Sequence, residues 1–386
     1  MALELTINSL LKQITHYGAS DLHIQVDSPP LMRLHGSLRA VPERPQLDEN
    51  TVRKLFDALV SDEETLKKRY YEERAIDFSH AVPGVARFRV NLFMQQGKMG
   101  GAFRRIPEEI PTLADLAAPS ILMDFSRKPR GLVLVTGPTG SGKSTTLAAV
   151  LNLINSERQD HILTIEDPIE FVHTPNHCLI NQREVGRDTP SFARGLRDAL
   201  REDPDVILVG EMRDDETMRI AMTAAETGHL VFGTLHTSSA PSAIDRIIDN
   251  FPDTEQSQIR TMLAASLVGI VTQTLLPRAD GQGRVAAHEV LVANNPVRAL
   301  IRKQETQHLR NELQTKTRDG MQTLDRALAY LVWQRVVSEE EARRAAQSAE
   351  EFDRFMESIA QGKGVPNPPK LVLPGQAGEQ LAGSPS

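Results

Sequence analysis

The spacing of apolar residues gives the first part of the chain a mixed character. Two stretches, 3–17 and 50–59, repeat apolar residues every three or four positions, as the buried face of a helix does. Two shorter stretches, 31–34 and 87–92, alternate apolar and polar residues, as strands with one buried face do. Helices and strands mixed in this way predict a small α+β domain over residues 1–107.

The pattern changes at Leu132, where short apolar runs begin to alternate with helical segments. These runs are rich in Val, Ile and Leu and cover 132–135, 162–165, 206–209 and 230–232. Apolar strands separated by helices predict a parallel sheet covered on both faces, which places this part in the α/β class.

Local signals predict further helices. One is expected over 190–201, with Thr189 as its cap and Pro190 in its first position. Residues 254–275 and 321–337 are also expected to be helical. Ser338, with Glu341 three residues later, has the spacing of a capping box that opens another helix.

Proline and glycine content sets the remaining expected boundaries. Pro107, Pro111 and Pro119 cannot lie within one continuous helix, so they predict a linker over 108–118. The α/β domain with its C-terminal helices is then expected over 119–361. Residues 362–386 are rich in Pro, Gly, Ser and Gln and predict a disordered tail.

A phosphate-binding motif follows the first apolar strand. Residues 137–145 read Gly-Pro-Thr-Gly-Ser-Gly-Lys-Ser-Thr, the spacing of a P-loop. The glycines allow backbone N–H groups to face the phosphates, Lys143 reaches the terminal phosphates of ATP, and Ser144 ligates Mg²⁺. The residues expected to contact the nucleotide are Gly137, Pro138, Thr139, Gly140, Ser141, Gly142, Lys143, Ser144 and Thr145.

Polar residues follow three more of the predicted strands and should meet at the edge that carries the P-loop. Glu211 is expected on the strand beside the P-loop strand, where a carboxylate holds Mg²⁺ through water. ATP hydrolysis also needs a group that orients or deprotonates water, and Glu166, Asp167 and Glu170 are all candidates. Sequence spacing does not choose among these three.

Two histidines flank the strand at 230–235. His229 precedes the strand and His236 follows it, and either side chain could sense the terminal phosphate of ATP. The alternative is that they make only structural hydrogen bonds.

Composition narrows the class of protein. The formal charge is −7, and we find no basic loop bearing aromatic residues, so direct binding to nucleic acid is not expected. No apolar run is long enough to span a membrane, and the N-terminus lacks the pattern of an export signal. A single cysteine, Cys178, excludes an internal disulfide and a four-cysteine zinc module, and a reducing compartment is expected.

Several motifs together identify a family. They are Gly18-Ala-Ser-Asp-Leu-His23, the P-loop, Leu163-Thr-Ile-Glu-Asp-Pro-Ile-Glu170, Asp205-Val-Ile-Leu-Val-Gly-Glu211, Thr227-Gly-His-Leu-Val-Phe-Gly-Thr-Leu-His236 and Gly320-Met-Gln-Thr323. With them the chain resembles the type IV pilus retraction ATPases of the secretion ATPase superfamily over roughly residues 3–350.

The resemblance implies an architecture and a set of partners. It implies a PAS-like N-terminal domain, a RecA-like P-loop ATPase domain with C-terminal helices, and a homohexamer. The ring would lie in the cytoplasm at the inner membrane, against the platform protein at the pilus base. Whether a paralogous accessory ATPase shares the work is left open.

The resemblance also implies roles for individual residues. In this family the last glutamate of the 163–170 motif is the catalytic one, which favours Glu170 and leaves Glu166 in reserve. Arginines of the N-terminal domain supply positive charge to the phosphates, and Arg87, Arg89 and Arg104 lie in the matching stretches. From the residues alone, Arg87 and Arg89 could equally form a solvated strand face around Phe88.

The direction of the motor rests on further differences. Pilus assembly and secretion ATPases typically carry a longer N-terminal region and a four-cysteine zinc module, whereas here the P-loop begins at Gly137 and Cys178 stands alone. The segment Asn295-Pro-Val-Arg-Ala-Leu-Ile-Arg302 resembles a motif of the retraction subfamily, with Val297 and Lys303 departing from its usual pattern. Retraction is therefore the expected direction.

Overall fold

A computed structural model describes residues 5–34, 37–60, 64–106 and 109–375, and the chain forms two compact units. The N-terminal unit contains the described residues up to Glu109 together with Asp167–Val172 and Glu184–Asp188. The second unit, called here the P-loop unit, contains the remaining described residues. Within the described chain, no helix is both long and apolar enough to cross a membrane.

The N-terminal unit is built on an antiparallel sheet, six-stranded within the described residues, in the order β3-β2-β1-β6-β5-β4. Its elements are α1 (Ile7–His16), β1 (Asp21–Gln25), β2 (Leu31–Leu34), β3 (Ser37–Ala40), α2 (Glu49–Val60), α3 (Glu64–Glu73), β4 (Ala75–Val82), β5 (Ala86–Gln95) and β6 (Lys98–Ile106). The apolar stripe of α1 and the inward side chains of β5, including Phe88 and Val90, are buried in one core. The predicted helices at 3–17 and 50–59 and the strands at 31–34 and 87–92 are present, but residues 3 and 4 lie outside the described residues.

The P-loop unit is built on a mostly parallel sheet, seven-stranded within the described residues, in the order β13-β12-β7-β11-β10-β8-β9. Its strands are β7 (Gly131–Thr136), β8 (His161–Glu166), β9 (Leu179–Glu184), β10 (Val206–Val209), β11 (Leu230–Leu235), β12 (Leu267–Pro277) and β13 (Arg284–Val292). Its helices are α4 (Ile121–Ser126), α5 (Lys143–Glu157), α6 (Phe192–Ala199), α7 (Asp215–Thr227), α8 (Ala240–Asp249), α9 (Asp253–Ser266), α10 (Asn295–Arg302), α11 (Leu309–Thr315), α12 (Leu324–Trp333), α13 (Glu339–Ala345) and α14 (Ala349–Ala360). All four predicted strands are present, and the α/β class is confirmed.

Two local predictions in this unit were wrong. Helix α6 begins at Phe192, and its cap is Ser191, whose hydroxyl accepts a hydrogen bond from the N–H of Arg194, so Thr189 and Pro190 precede the helix. The expected helix at 254–275 ends at Ser266, and β12 follows directly. Because β12 is largely buried, its apolar run carries no alternating pattern that would separate it from a buried helix.

The C-terminal segments pack more than composition predicts. Ser338 does cap α13, since its hydroxyl accepts from the N–H of Glu341. Beyond α14, Val365 and Val372 are both buried, and Leu371 forms an isolated antiparallel bridge with Pro119. Val365, Leu371 and Val372 are therefore packed within a stretch for which disorder was expected, and residues 376–386 lie outside the described part of the chain.

Candidate nucleotide site

The P-loop connects the end of β7 to the start of α5. Gly140 and Gly142 have positive φ angles of 78° and 87°, which disfavour any residue with a side chain. A Cβ on Gly137 would lie 2.3 Å from the backbone oxygen of Gln273. The loop is thus a tight backbone turn that ends at a helix N-terminus, an arrangement that fits the phosphates of a nucleotide.

Two P-loop side chains have the chemistry expected of them. Lys143 is 9% exposed, and its ammonium donates to the carbonyl oxygens of Gly137 at 2.8 Å and Pro138 at 3.2 Å. The ammonium therefore lies within the loop, where phosphate oxygens would replace the carbonyls as partners. Ser144 is half-buried in the first turn of α5, a position that fits a hydroxyl ligand of Mg²⁺.

The strand order corrects the expected position of Glu211. Strand β10, which Glu211 follows, is separated from β7 by β11, so Glu211 is not on the strand beside the P-loop strand. Glu211 is nevertheless directed toward β11. Both neighbours of Glu211 in the chain bond to Thr234 on β11. The hydroxyl of Thr234 donates to the backbone oxygen of Gly210 at 2.5 Å, and the backbone oxygen of Thr234 accepts from the N–H of Met212 at 3.1 Å.

His236 links Glu211 to the P-loop. The last residue of β11, Leu235, is level with Thr136, so His236 emerges beside the start of the loop. Its Nε2 lies 3.2 Å from Oε1 of Glu211, and its Nδ1 lies 3.5 Å from the hydroxyl of Thr139. The structure thus brings Thr139, His236 and Glu211 together at one edge of the sheet.

The charge of Glu211 follows from these neighbours. Burial alone raises the pKa of this carboxyl, but the hydrogen bond and charge of Arg213, at 2.7 Å, together with His236, outweigh burial and hold the pKa below its usual value. Glu211 is therefore a carboxylate at neutral pH, as a metal-binding residue must be.

His229 lies at the other end of β11. Its backbone oxygen accepts from the N–H of Gly131 at the start of β7, and its Nδ1 lies 3.0 Å from the oxygen of Ala224. The length of a six-residue strand separates it from the P-loop edge by roughly 20 Å. Within the P-loop unit, His229 therefore lies at the end of β11 opposite the loop, and its role in sensing a phosphate stays a prediction.

The candidate carboxylates after β8 divide between the two units. Glu166, the last residue of β8, accepts from the hydroxyl of Thr164 at 2.6 Å and from Nε2 of Gln182 at 3.2 Å within the P-loop unit. Asp167 begins the segment that belongs to the N-terminal unit, and its peptide bond to Pro168 is cis. Glu170 lies in that segment, and its side chain is 39% exposed.

A buried glutamate anchors the segment that carries Glu170. Glu184 is 3% exposed, accepts from the N–H of Ile169 at 3.1 Å and accepts from the hydroxyl of Ser79 at 2.9 Å. Arg87 donates to the same hydroxyl at 2.6 Å. Glu184 could not be predicted from the sequence, because a glutamate at the end of an exposed edge strand carries no local signal of burial.

The three candidate arginines share one face of the N-terminal sheet. Arg89 is paired with Arg104 across β5 and β6, and Arg87 lies two residues from Arg89 on the same strand face. Arg89 lies 3.8 Å from Glu170 and 3.8 Å from Asp77, and Arg104 donates to Asp21 at 2.9 Å while remaining 75% exposed. Within this unit, the structure therefore places Arg89 beside Glu170, the carboxylate that the family resemblance favours.

Comparisons with known proteins identify the family. Residues 113–344 match the family described as Type II/IV secretion system protein. The chain is 50% identical to the type IV pilus retraction ATPase PilT of Pseudomonas aeruginosa over 346 residues, which cover 90% of this chain and 99% of that protein. It is 41% identical over 344 residues to the type IV pilus ATPase PilU of the same organism, covering 89% of each.

A solved structure agrees with this assignment. The crystal structure of the pilus retraction motor PilT with bound ADP has a TM-score of 0.84 and 44% identity, and the match covers 91% of this chain and 100% of that one. This likeness confirms the predicted architecture of an N-terminal domain, a P-loop domain and C-terminal helices. The chain therefore belongs to the type II/IV secretion system protein family, in the group that contains the pilus retraction ATPase PilT.

Proposed function

We propose that this protein is a Mg²⁺-dependent ATPase that drives retraction of a type IV pilus. The observation that carries the enzymatic part is the P-loop with its buried Lys143, next to the His236 and Glu211 pair at the same sheet edge. Family membership supports the same conclusion, and the similar crystal structure of the pilus retraction motor PilT contains bound ADP.

The P-loop residues have distinct roles in this proposal. Residues 137–145 bind the phosphates of ATP through backbone N–H groups, and Lys143 balances their negative charge. Ser144 and Glu211 would hold Mg²⁺, which when bound draws negative charge from the phosphoryl oxygens. His236 would respond to the terminal phosphate because it contacts both Thr139 and Glu211.

Glu170 is proposed as the residue that orients or deprotonates the attacking water. Glu166 accepts two hydrogen bonds in its own unit, whereas the carboxylate of Glu170 lies 3.8 Å from Arg89 and is more than a third exposed. Arg87, Arg89 and Arg104 are proposed to offset phosphate charge during hydrolysis.

Phosphate release with Mg²⁺-ATP tests the catalytic assignments. Glu170→Gln should lower turnover by a factor on the order of 10² to 10⁴ while ATP still binds, because a general base is lost but the P-loop is intact. Lys143→Ala is the matched comparison, since it should weaken ATP binding itself by removing a charge that faces the phosphates. Normal turnover in the glutamine variant would exclude Glu170 as the catalytic residue.

The proposed cellular role is retraction by a homohexamer in the cytoplasm, at the inner-membrane platform protein of the pilus base. The chain is 50% identical to the retraction ATPase PilT and 41% identical to the type IV pilus ATPase PilU, which favours a role like that of PilT. No direct contact with nucleic acid is proposed.

Deletion of the gene tests the direction of the motor. Cells without the protein should still assemble pili, become hyperpiliated, and lose twitching motility and pilus-dependent DNA uptake, because pilin is added but not removed. Counting surface pili by electron microscopy checks this. Cells without pili would indicate an assembly ATPase, even if every assignment in the nucleotide site is correct.

A further inference from the structure

Gln273 is a buried side chain that links the P-loop to the helix that follows it. It lies on β12 one residue after Thr272, which is level with Thr136 at the end of β7. Only 2% of Gln273 is exposed. Its amide nitrogen donates to the oxygen of Ser141 at 2.5 Å, and its amide oxygen accepts from the hydroxyl of Thr146 at 2.8 Å.

The glycines of the loop are packed against the same residue. A Cβ on Gly142 would lie 2.8 Å from the amide nitrogen of Gln273, and a Cβ on Gly137 would lie 2.3 Å from its backbone oxygen. The requirement for glycine at these two positions therefore comes in part from β12, and not only from the approach of a phosphate.

The bond to Ser141 has a consequence for the next peptide N–H. A trans peptide is planar, so its C=O and N–H groups point in opposite directions. When the oxygen of Ser141 points toward the amide of Gln273, the N–H of Gly142 must point away from that amide. In a P-loop, an N–H in this part of the loop is one of those that face a bound phosphate.

We propose that Gln273 is a positioning residue that orients the Ser141–Gly142 peptide for phosphate binding. The inference rests on the proposed nucleotide-binding function and assigns to it a residue outside the P-loop motif. A carboxamide suits the position because it provides one donor for Ser141 and one acceptor for Thr146 at the same time. A carboxylate provides only acceptors, and an apolar side chain provides neither group.

Two substitutions separate these features. Gln273→Glu keeps the shape and the acceptor for Thr146 but removes the donor to Ser141, whereas Gln273→Met keeps the length and removes both bonds. Each should raise the dissociation constants for ADP and ATP about tenfold, because both variants lose the buried hydrogen bond to Ser141 that orients the loop. The turnover number at saturating ATP should stay within about threefold, because the proposed water-activating group is unchanged.

Thr272→Val is the matched control. It removes a buried hydrogen bond of 2.8 Å between the hydroxyls of Thr272 and Thr136, on the same pair of strands, without touching the loop. Binding of fluorescent ADP and ATP analogues is measured for all four proteins, with thermal midpoints recorded in parallel. We expect the control to lose stability but to keep wild-type affinity.

The outcomes distinguish this inference from the proposed function. If wild-type protein binds and hydrolyses ATP but Gln273→Glu binds as tightly as wild type, Gln273 does not position the loop. If Thr272→Val weakens binding as much as Gln273→Met, the effect is one of general strand stability and the inference is overturned. If wild-type protein binds neither ADP nor ATP, both the proposed function and this inference fail.

Discussion

Among single residues, Glu289 has surroundings that are unfavourable for a charge. It lies on β13, is 2% exposed, and accepts from the N–H of Ala240 at 2.6 Å. Burial raises the pKa of Glu289 to about 7; the bond from Ala240 and the charge of Arg310 oppose this, and Asp325 and Glu351 add to it.

This shift predicts a dependence of stability on pH. The folded state binds the proton of Glu289 more tightly than the unfolded state does. The resulting stabilisation is therefore complete below pH 4.5, the ordinary pKa, and is lost as the pH rises through about 7. Glu289→Gln cannot titrate and keeps an oxygen for Ala240. The difference in unfolding free energy, variant minus wild type, should therefore rise by on the order of 2 kcal/mol between pH 5 and 8, because only the wild type loses this stabilisation.

Urea unfolding of both proteins at several pH values checks this prediction. The difference between the two proteins is the informative quantity, because Asp325, whose pKa is also raised by burial, titrates in both. A difference that is constant with pH would show that Glu289 has the same pKa in the folded and unfolded states.

The residues of the site were predictable to different degrees. The P-loop is a contiguous motif, so its residues could be named from the sequence. Glu184 and Gln273 could not, because each acts on a segment that is distant along the chain. Their roles depend on strand pairing, which a local pattern does not encode.

At the level of elements, β12 and the segment after α14 differ most from expectation. Strand β12 packs against the ring of Phe125 on α4 at Gly269. Only glycine leaves room for this contact, since a Cβ at this position would lie 2.3 Å from the ring. After α14, the N–H of Ser120 donates to the oxygen of Lys370 at 2.8 Å, and the N–H of Val372 donates to the oxygen of Ala118 at 2.9 Å. This segment therefore connects the C-terminal helices with the core beneath α4.

Removing the packed segment should destabilise the P-loop unit. A chain that ends at Gly362 loses the buried side chains of Val365 and Val372, each worth about 1.5 to 3 kcal/mol when fully buried. We expect the thermal midpoint to fall by on the order of 5 °C or more. A chain that ends at Gly375 is the control and should melt like the full chain. Equal midpoints for all three proteins would show that the segment adds no stability.

At the level of the whole molecule, the N-terminal unit is not continuous in sequence. It includes Asp167–Val172 and Glu184–Asp188, which are inserted between strands of the P-loop unit. Glu170, the proposed catalytic residue, thus packs in the N-terminal unit although it lies in the sequence between strands of the P-loop unit. An isolated N-terminal fragment would lack Glu170 and its anchor Glu184.

The proposed ring predicts the mass of the assembly. Six copies joined head to tail form a closed ring in which each copy uses the same two surfaces. Sedimentation with Mg²⁺-ATP should therefore give a species about six times the 42.7 kDa of one chain. Lys143→Ala run under the same conditions tests whether nucleotide binding is needed for assembly. A wild-type protein that remains a monomer at micromolar concentration would contradict the hexamer.

The sequence by itself determined the P-loop, the parallel strands around it and the family. These depend on short contiguous patterns, in which glycine, lysine and apolar residues have a fixed local meaning. Only the tertiary structure decided that β11 separates Glu211 from the P-loop strand, that His229 lies at the far end of that strand, and that Gln273 holds the loop. These facts depend on the order in which strands pair and on which buried donor meets which acceptor. Both are set by the packing of segments far apart in the chain.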